Sequence, residues 1–131
     1  MANNPDPVDI VLRLRAALEA QDLETASSLL RDDVVQHVPG NHTTNGDYTG
    51  LAGLLEFGAA SRATGAHTER EVVDVLAGAD HVAVYCNITG HRPGRPVLHN
   101  PTLHLYRIED GRVAEIWFHN RDQAAVDAFW S

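Results

Sequence analysis

Apolar residues at Val8, Val11, Leu12 and Leu18 recur at helical spacing while Arg13, Arg15 and Glu19 take wet positions, predicting a helix over about 7–20 behind a polar leader, 1–7. Asp22 offers a carboxylate N-cap to a second, short helix whose Leu23, Ala26, Leu29 and Leu30 form one apolar stripe ending near Arg31. The β-branched run Val34-Val35-Gln36-His37-Val38, closed by Pro39-Gly40, reads as a first strand. A polar loop from Gly40 to Tyr48 follows. Thr49 can cap a third helix with Leu51, Leu54, Leu55 and Phe57 on its buried side, loosening before Gly65.

Beyond Gly65 the period changes to two. Alternating, β-branched stretches at about 67–76, 81–90, 97–108 and 112–120 predict four consecutive antiparallel strands, with Asp110-Gly111 as the strongest hairpin signal. Asp122 then caps a closing helix over about 121–131 containing Ala125, Val126, Phe129 and Trp130. Helices segregated from a meandering sheet define an α+β domain rather than a doubly wound one. Along the last strand one face reads Ala114, Ile116, Phe118, Asn120 and the other Val113, Glu115, Trp117, His119. Along the preceding strand Asn100, Thr102, His104, Tyr106 and Ile108 oppose Leu103, Leu105 and Arg107. Apolar bulk on both faces suggests helices on one side and a second copy of the chain on the other, a homodimer through the outer sheet face.

At 131 residues, 44% hydrophobic and 21% charged, the chain suffices for a single domain, 1–131, with a real core. Eighteen acidic against ten basic residues give a formal charge of -8, which repels phosphate backbones, so no nucleic-acid partner is expected. All ten basic residues are arginines, which excludes chemistry on a lysine amine, such as a pyridoxal-phosphate anchor or a phosphate-loop lysine. The single cysteine, Cys86, permits no internal disulfide. The start lacks the basic-then-apolar order of a secretory signal and no apolar run approaches the roughly 18 residues that cross a bilayer, so a soluble, cytoplasmic protein without a membrane partner is expected.

His104 lies between two leucines in mid-strand, where a desolvated imidazole must hydrogen-bond or lose about 1–3 kcal/mol. Two readings stand open: a neutral ring that takes a proton as a general base near neutral pH, or a core histidine satisfied by a neighbour. Parity lets only one of Gln36 and His37 face inward. Tyr48 either donates its hydroxyl to a developing oxyanion or packs beneath the loop. Cys86, in line with Val82 and Val84, is most simply a small buried hydrophobe. Arg92 and Arg95 flank Pro93-Gly94 at what reads as an exposed hairpin tip. The eight histidines match no compact ligand spacing, and neither a metal nor another cofactor is expected.

The segments Asp32-Asp33-Val34-Val35-Gln36-His37-Val38-Pro39-Gly40, Gly46-Asp47-Tyr48-Thr49-Gly50, Asp110-Gly111-Arg112-Val113-Ala114-Glu115-Ile116-Trp117 and Asp122-Gln123 resemble the SnoaL-like proteins. Their superfamily also holds nuclear transport factor 2, ketosteroid isomerase, limonene epoxide hydrolase and scytalone dehydratase. The resemblance spans about residues 8–130. It implies a cone-shaped α+β barrel, a strongly curved antiparallel sheet around three helices with a deep, mostly apolar internal cavity, and frequent sheet-mediated dimers. Val38 stands where ketosteroid isomerases carry their base aspartate, and His104 where they carry an oxyanion-holding acid, so that carboxylate pair is absent. In SnoaL-like cyclases an acidic or histidine residue serves intramolecular aldol closure, and His104 is the stand-in the resemblance implies.

Three functions compete. The first is a cofactor-independent acid/base enzyme, of cyclase or isomerase type, acting on a small hydrophobic carbonyl compound. His104, Tyr48 and Gln36 would be its catalytic residues, and His37, Val38, Cys86, Asn100, Thr102, Tyr106, Ile116, Phe118 and Asn120 its substrate-binding wall. The second is a non-catalytic hydrophobic-ligand-binding protein, and the third an epoxide-type hydrolase.

Overall fold

The computed structural model describes residues 5–131; residues 1–4 of the predicted leader lie outside them. Helix α1 spans Pro7–Ala20. Proline occupies its first turn and Asp6 caps it, accepting from the Val8 N–H at 3.0 Å. Asp22 does the same for α2, Leu23–Leu29, accepting from Thr25 N at 3.2 Å. Strand β1, Leu30–Val38, starts directly after α2 and four residues earlier than the β-branched run suggests. Leu30, read from the sequence as the end of the helical stripe, is instead the first residue of the strand and is buried like Val34, the charged trio Arg31-Asp32-Asp33 between them having hidden the continuity.

The loop expected at 40–48 ends in a further strand, β2, Gly46–Thr49, antiparallel to β1 with Tyr48 opposite Gln36. Helix α3 spans Gly50–Ala63. Its buried side is Gly53 and Leu54, while Leu55 is exposed. Gly53 is required: a Cβ there would stand 2.9 Å from the Tyr48 carbonyl carbon. Strands β3, His67–Ala77, β4, His81–His91, β5, Leu98–Glu109, and β6, Arg112–Asn120, form the expected antiparallel meander, and α4, Gln123–Trp130, closes the chain. Asp110 and Gly111 both take positive φ in the β5–β6 turn, as a tight hairpin demands.

The six strands lie in the order β2-β1-β6-β5-β4-β3, with β1 parallel to β6. Register irregularities between Val72 and Asp74 and beside Arg107 mark bulges, which bend the strands into a cone-shaped α+β barrel. The second bulge adds Ala114, so Val113 and Ala114 are both buried and strict alternation fails there. Helix α1 lies on the inner face, where Ile10, Val11 and Leu14 pack with Val82, Val84, Tyr106, Val113 and Ile116 in one core. Helix α3 covers β1 and β2.

Helix α4 packs over the far end of β4 and β5 through Val126 and Phe129, which join Leu98. Gly90 leaves room for it, since a Cβ there would meet the Phe129 ring at 2.8 Å. The two arginines stand at an exposed turn as expected, and they also hold the C-terminal end of α4. Arg92 donates to the Phe129 carbonyl at 2.8 Å and Arg95 to those of Ala128 and Ser131 at 2.5 and 2.6 Å. Cations belong there because the last carbonyls of a helix are unpaired and carry its negative dipole end. No helix of the described residues is long and apolar enough to cross a membrane. Replacing Phe129 by alanine should lower the stability measured by urea denaturation by about 3–5 kcal/mol, the cost of an unfilled aromatic site.

Candidate active site

The inner face of the sheet presents rows of aligned residues. Tyr106 pairs with Val82 on one side and with Ile116, then Gln36, on the other; one row along, His104 pairs with Val84 and Phe118. Thr102 lies opposite Cys86 and Asn120, and Asn100 opposite Ile88, which in turn faces Arg70. Of the predicted wall, Val38, Cys86, Asn100, Thr102, Tyr106, Ile116, Phe118 and Asn120 lie on this face together with Gln36 and His104.

His37 does not. It points outward, where Nδ1 meets Asp47 at 2.7 Å and Nε2 meets Glu115 at 2.5 Å, and its ring stacks on Trp117 with centroids 5.7 Å apart. Two carboxylate acceptors require an N–H on both nitrogens, which is the imidazolium form. Burial alone would lower the His37 pKa, but the hydrogen bonds and charges of Glu115 and Asp47 outweigh it and raise the pKa above 6.5.

His104 has the opposite environment. It is 5% exposed, its ring lies against Phe118 at a centroid distance of 4.1 Å, and its Nδ1 meets Arg15 Nη1 at 3.2 Å. The same Arg15 nitrogen donates to the Tyr106 hydroxyl at 2.9 Å. A guanidinium only donates, so Nδ1 is the accepting nitrogen and the proton of the neutral ring sits on Nε2. Burial first, and then the charges of Arg15 and Arg70, push the His104 pKa down to about 3. The ring is thus a neutral hydrogen-bond donor through Nε2, which has no protein partner among the described residues; of the two readings the sequence left open, it fits neither a general base near neutral pH nor a core histidine with both nitrogens satisfied.

Arg15 is the inner-face residue that sequence reasoning missed and placed in water. It stands four residues after Val11 and three before Leu18, inside the apolar stripe of α1, and an arginine interrupting such a stripe was the available signal. Around it are three neutral groups: His104, the Tyr106 phenol and the Cys86 thiol. Burial raises the pKa of the phenol and of the thiol, with Arg15 opposing in each case. Cys86 is therefore a protonated thiol at neutral pH.

The other candidates divide. The Tyr48 hydroxyl donates to the Thr44 carbonyl at 2.8 Å and its ring packs edge-on against Phe57, so its proton is committed to the loop. Gln36 is 6% exposed and its amide has no hydrogen-bond partner among the described residues. Asn120 is held between Thr102, which donates to its Oδ1 at 2.8 Å, and Gln123, which accepts from its Nδ2 at 3.0 Å. Asn100 donates to the same Asn120 oxygen at 3.1 Å, yet its own Oδ1 is buried without a partner, an acceptor awaiting a donor. Asn100, Arg70, Ile88, Glu69 and Glu71 are among the residues lining a concavity of about 590 Å³ between β3, β4 and β5. Among the described residues no three His, Cys, Asp or Glu side chains are placed to share a metal ion.

The fold and this inner-face site define a class, the cone-shaped α+β barrels. The SnoaL-like domain pattern matches residues 11–116, and the chain belongs to that family. It is 29% identical to an uncharacterised protein of Mycobacterium tuberculosis over 95% of both chains. Among solved structures it is similar to Bal32a from a soil-derived mobile gene cassette, at 27% identity over 95% of this chain and 96% of that one, with a TM-score of 0.84. It is also similar to IdmH, a putative polyketide cyclase from Streptomyces antibioticus, at 25% identity over 95% and 96%, with a TM-score of 0.69.

The two histidines set opposite pH dependences. For His104 the folded-state pKa is far below 6.5, so the unfolded chain binds the proton first, and stability is complete above that value and lost as pH falls toward about 3. For His37 the folded-state pKa is raised, so its contribution is complete below 6.5 and lost as pH climbs through the raised value. Urea midpoints measured across pH should show His104→Gln flattening the acid limb, and His37→Gln losing stability at acid pH with little change in alkali.

Proposed function

We propose that the protein is a cytoplasmic, cofactor-independent enzyme of cyclase or isomerase type that acts on a small hydrophobic carbonyl compound. The observation that carries this reading is the neutral His104 imidazole on the inner face, its Nδ1 held by Arg15 and its Nε2–H left unpaired. A fixed N–H in a desolvated setting stabilises negative charge developing on a carbonyl oxygen and needs no reorganisation to do so. A neutral imidazole serving as electrophile in this way has a known precedent in triosephosphate isomerase. The unpartnered Gln36 amide supplies a second donor on the same face, and Phe118, Ile116 and Val84 give the apolar surface that holds the carbon skeleton. Family membership and the likeness to IdmH support a cyclase-type reaction.

In an aldol closure the acidic carbon between two carbonyl groups of the substrate would lose its proton to solvent, the resulting enolate carbon would attack a further carbonyl carbon, the π pair of that carbonyl would pass to its oxygen, and solvent would return a proton to the alkoxide. His104 and Gln36 would stabilise the oxygen that carries the charge. The test is deuterium uptake at the activated methylene of ethyl 2-naphthoylacetate, a carbon between two carbonyl groups, in heavy water, followed by proton NMR. The wild-type protein should accelerate it, and His104→Phe, which keeps the stack on Phe118, should lose about a hundredfold, the effect of removing one such donor. An unchanged rate in the variant would end the assignment of His104. Ligand bound but returned without exchange would favour the hydrophobic-ligand carrier.

We also propose that two copies associate through the outer sheet face. Val35, Tyr85, Leu103, Leu105 and Trp117 lie there, each only half-buried in the single chain. Sedimentation should give twice the 14.3 kDa chain mass. Leu105→Asp should return the monomer.

A further inference from the structure

Arg15 carries a full charge that no acidic side chain among the described residues neutralises. No carboxylate lies within 4.0 Å of it among the described residues, although Arg31 and Arg107 on the same sheet each reach two or more. Its two hydrogen bonds to nitrogen or oxygen, to His104 and to Tyr106, leave from Nη1, and the Cys86 thiol is a further, weaker partner of the guanidinium. Nε and Nη2 have no nitrogen or oxygen partner among the described residues, and these two N–H groups form one straight edge of the guanidinium. That edge matches the two oxygens of a carboxylate in a bidentate pair. A charge on an apolar face with neutral neighbours is unfavourable until a counter-ion arrives, and the arrival of one is correspondingly favourable. Arg70 adds positive charge on the same inner face: it lines the concavity between Glu69 and Glu71, forms no salt bridge among the described residues, and acts on His104, Tyr106 and Cys86 at a distance.

We infer that the substrate is a hydrophobic keto acid whose carboxylate pairs with the Nε–Nη2 edge of Arg15, its approach favoured by Arg70, so that the carbonyl to be activated comes to the His104 Nε2–H. This inference rests on the proposed function for the carbonyl and stands apart from it for the carboxylate. The orphaned Asn100 Oδ1, across Ile88 from Arg70, supplies an acceptor for a hydroxyl or enol on the same skeleton. In a chain with a net charge of -8, these arginines make the inner face the local exception to a field that otherwise repels anions.

The experiment is calorimetric titration of the folded protein with 2-naphthoate and with its neutral counterpart 2-acetonaphthone, at neutral pH and low salt. The carboxylate should bind about tenfold more tightly than the ketone, and salt should narrow the gap. Arg15→Met should abolish the preference while leaving ketone binding in place, and Arg15→Lys should retain part of it. Arg70→Met, at an exposed strand position that the core does not depend on, should weaken naphthoate about threefold and leave the ketone unchanged. Equal affinities, no heat from naphthoate at millimolar concentration, or a preference that survives Arg15→Met would each overturn the inference. The two proposals fail separately. Equal binding with deuterium exchange intact removes only the carboxylate, whereas preferred naphthoate binding without exchange removes only the enzyme.

Discussion

The contact between the Arg15 guanidinium and Nδ1 of His104 governs the chemistry of the inner face. It joins the first helix to the fifth strand across 89 residues of chain, and through the same nitrogen it also fixes the Tyr106 hydroxyl. Because arginine cannot release its proton, one contact settles three properties at once. It selects the Nε2–H tautomer, it disfavours a second positive charge on the ring, and it sets a permanent cation beside a phenol and a thiol that stay neutral. Hydrogen bonds from a charged donor are worth about 1.5–3 kcal/mol, enough to hold α1 in register against the sheet but not enough to replace a true counter-ion.

The same sheet shows how completely partners decide what a histidine is. His37 and His104 sit on strands of one sheet, yet the outward ring lies between two carboxylates and is held charged, while the inward ring meets a guanidinium and is held neutral. The outer face thus combines compensated charge with half-buried apolar residues, the composition of a surface that can meet a second copy. On the inner face the positive charge has no compensation. No Asp or Glu is among the buried residues of the described chain, and Val38 is an apolar wall residue at the end of β1.

Most of this architecture was legible in the order of residues. The caps at Asp22 and Asp122, the Asp110-Gly111 hairpin and the four alternating stretches each follow from local chemistry, and all of them recur in the structure. Strand parity also placed Asn100, Thr102, His104 and Tyr106 on one face and resolved Gln36 inward against His37 outward once a single register was known. What escaped depends on contacts that sequence distance hides. β2 is four residues long and polar, and it exists because β1 pairs with it. Alternation broke at Ala114 because a bulge adds a residue, which no pattern of period two contains. The Tyr48 hydroxyl bonds to Thr44 because the loop returns beneath it, and the two hairpin arginines turn to α4 because that helix ends beside them. Arg15 was misread because a side chain's length lets it join an apolar stripe while its charge suggests water.

A donor-rich face without a base constrains which proton chemistry the fold can support. An isomerase must lift a proton from one carbon and return it to another, which requires a group whose pKa lies near the working pH and which alternates between two protonation states. His104, pushed down to about 3, is not that group, and the buried phenol and thiol are displaced in the direction that keeps their protons. A cyclase acting on a carbon between two carbonyl groups demands less: the substrate supplies its own acidity, and the protein has only to fold the chain, exclude water and stabilise charge on oxygen. His104 Nε2–H, the Gln36 amide and Arg15 are suited to those tasks, so within the proposed class the balance of groups on this face favours ring closure over double-bond migration.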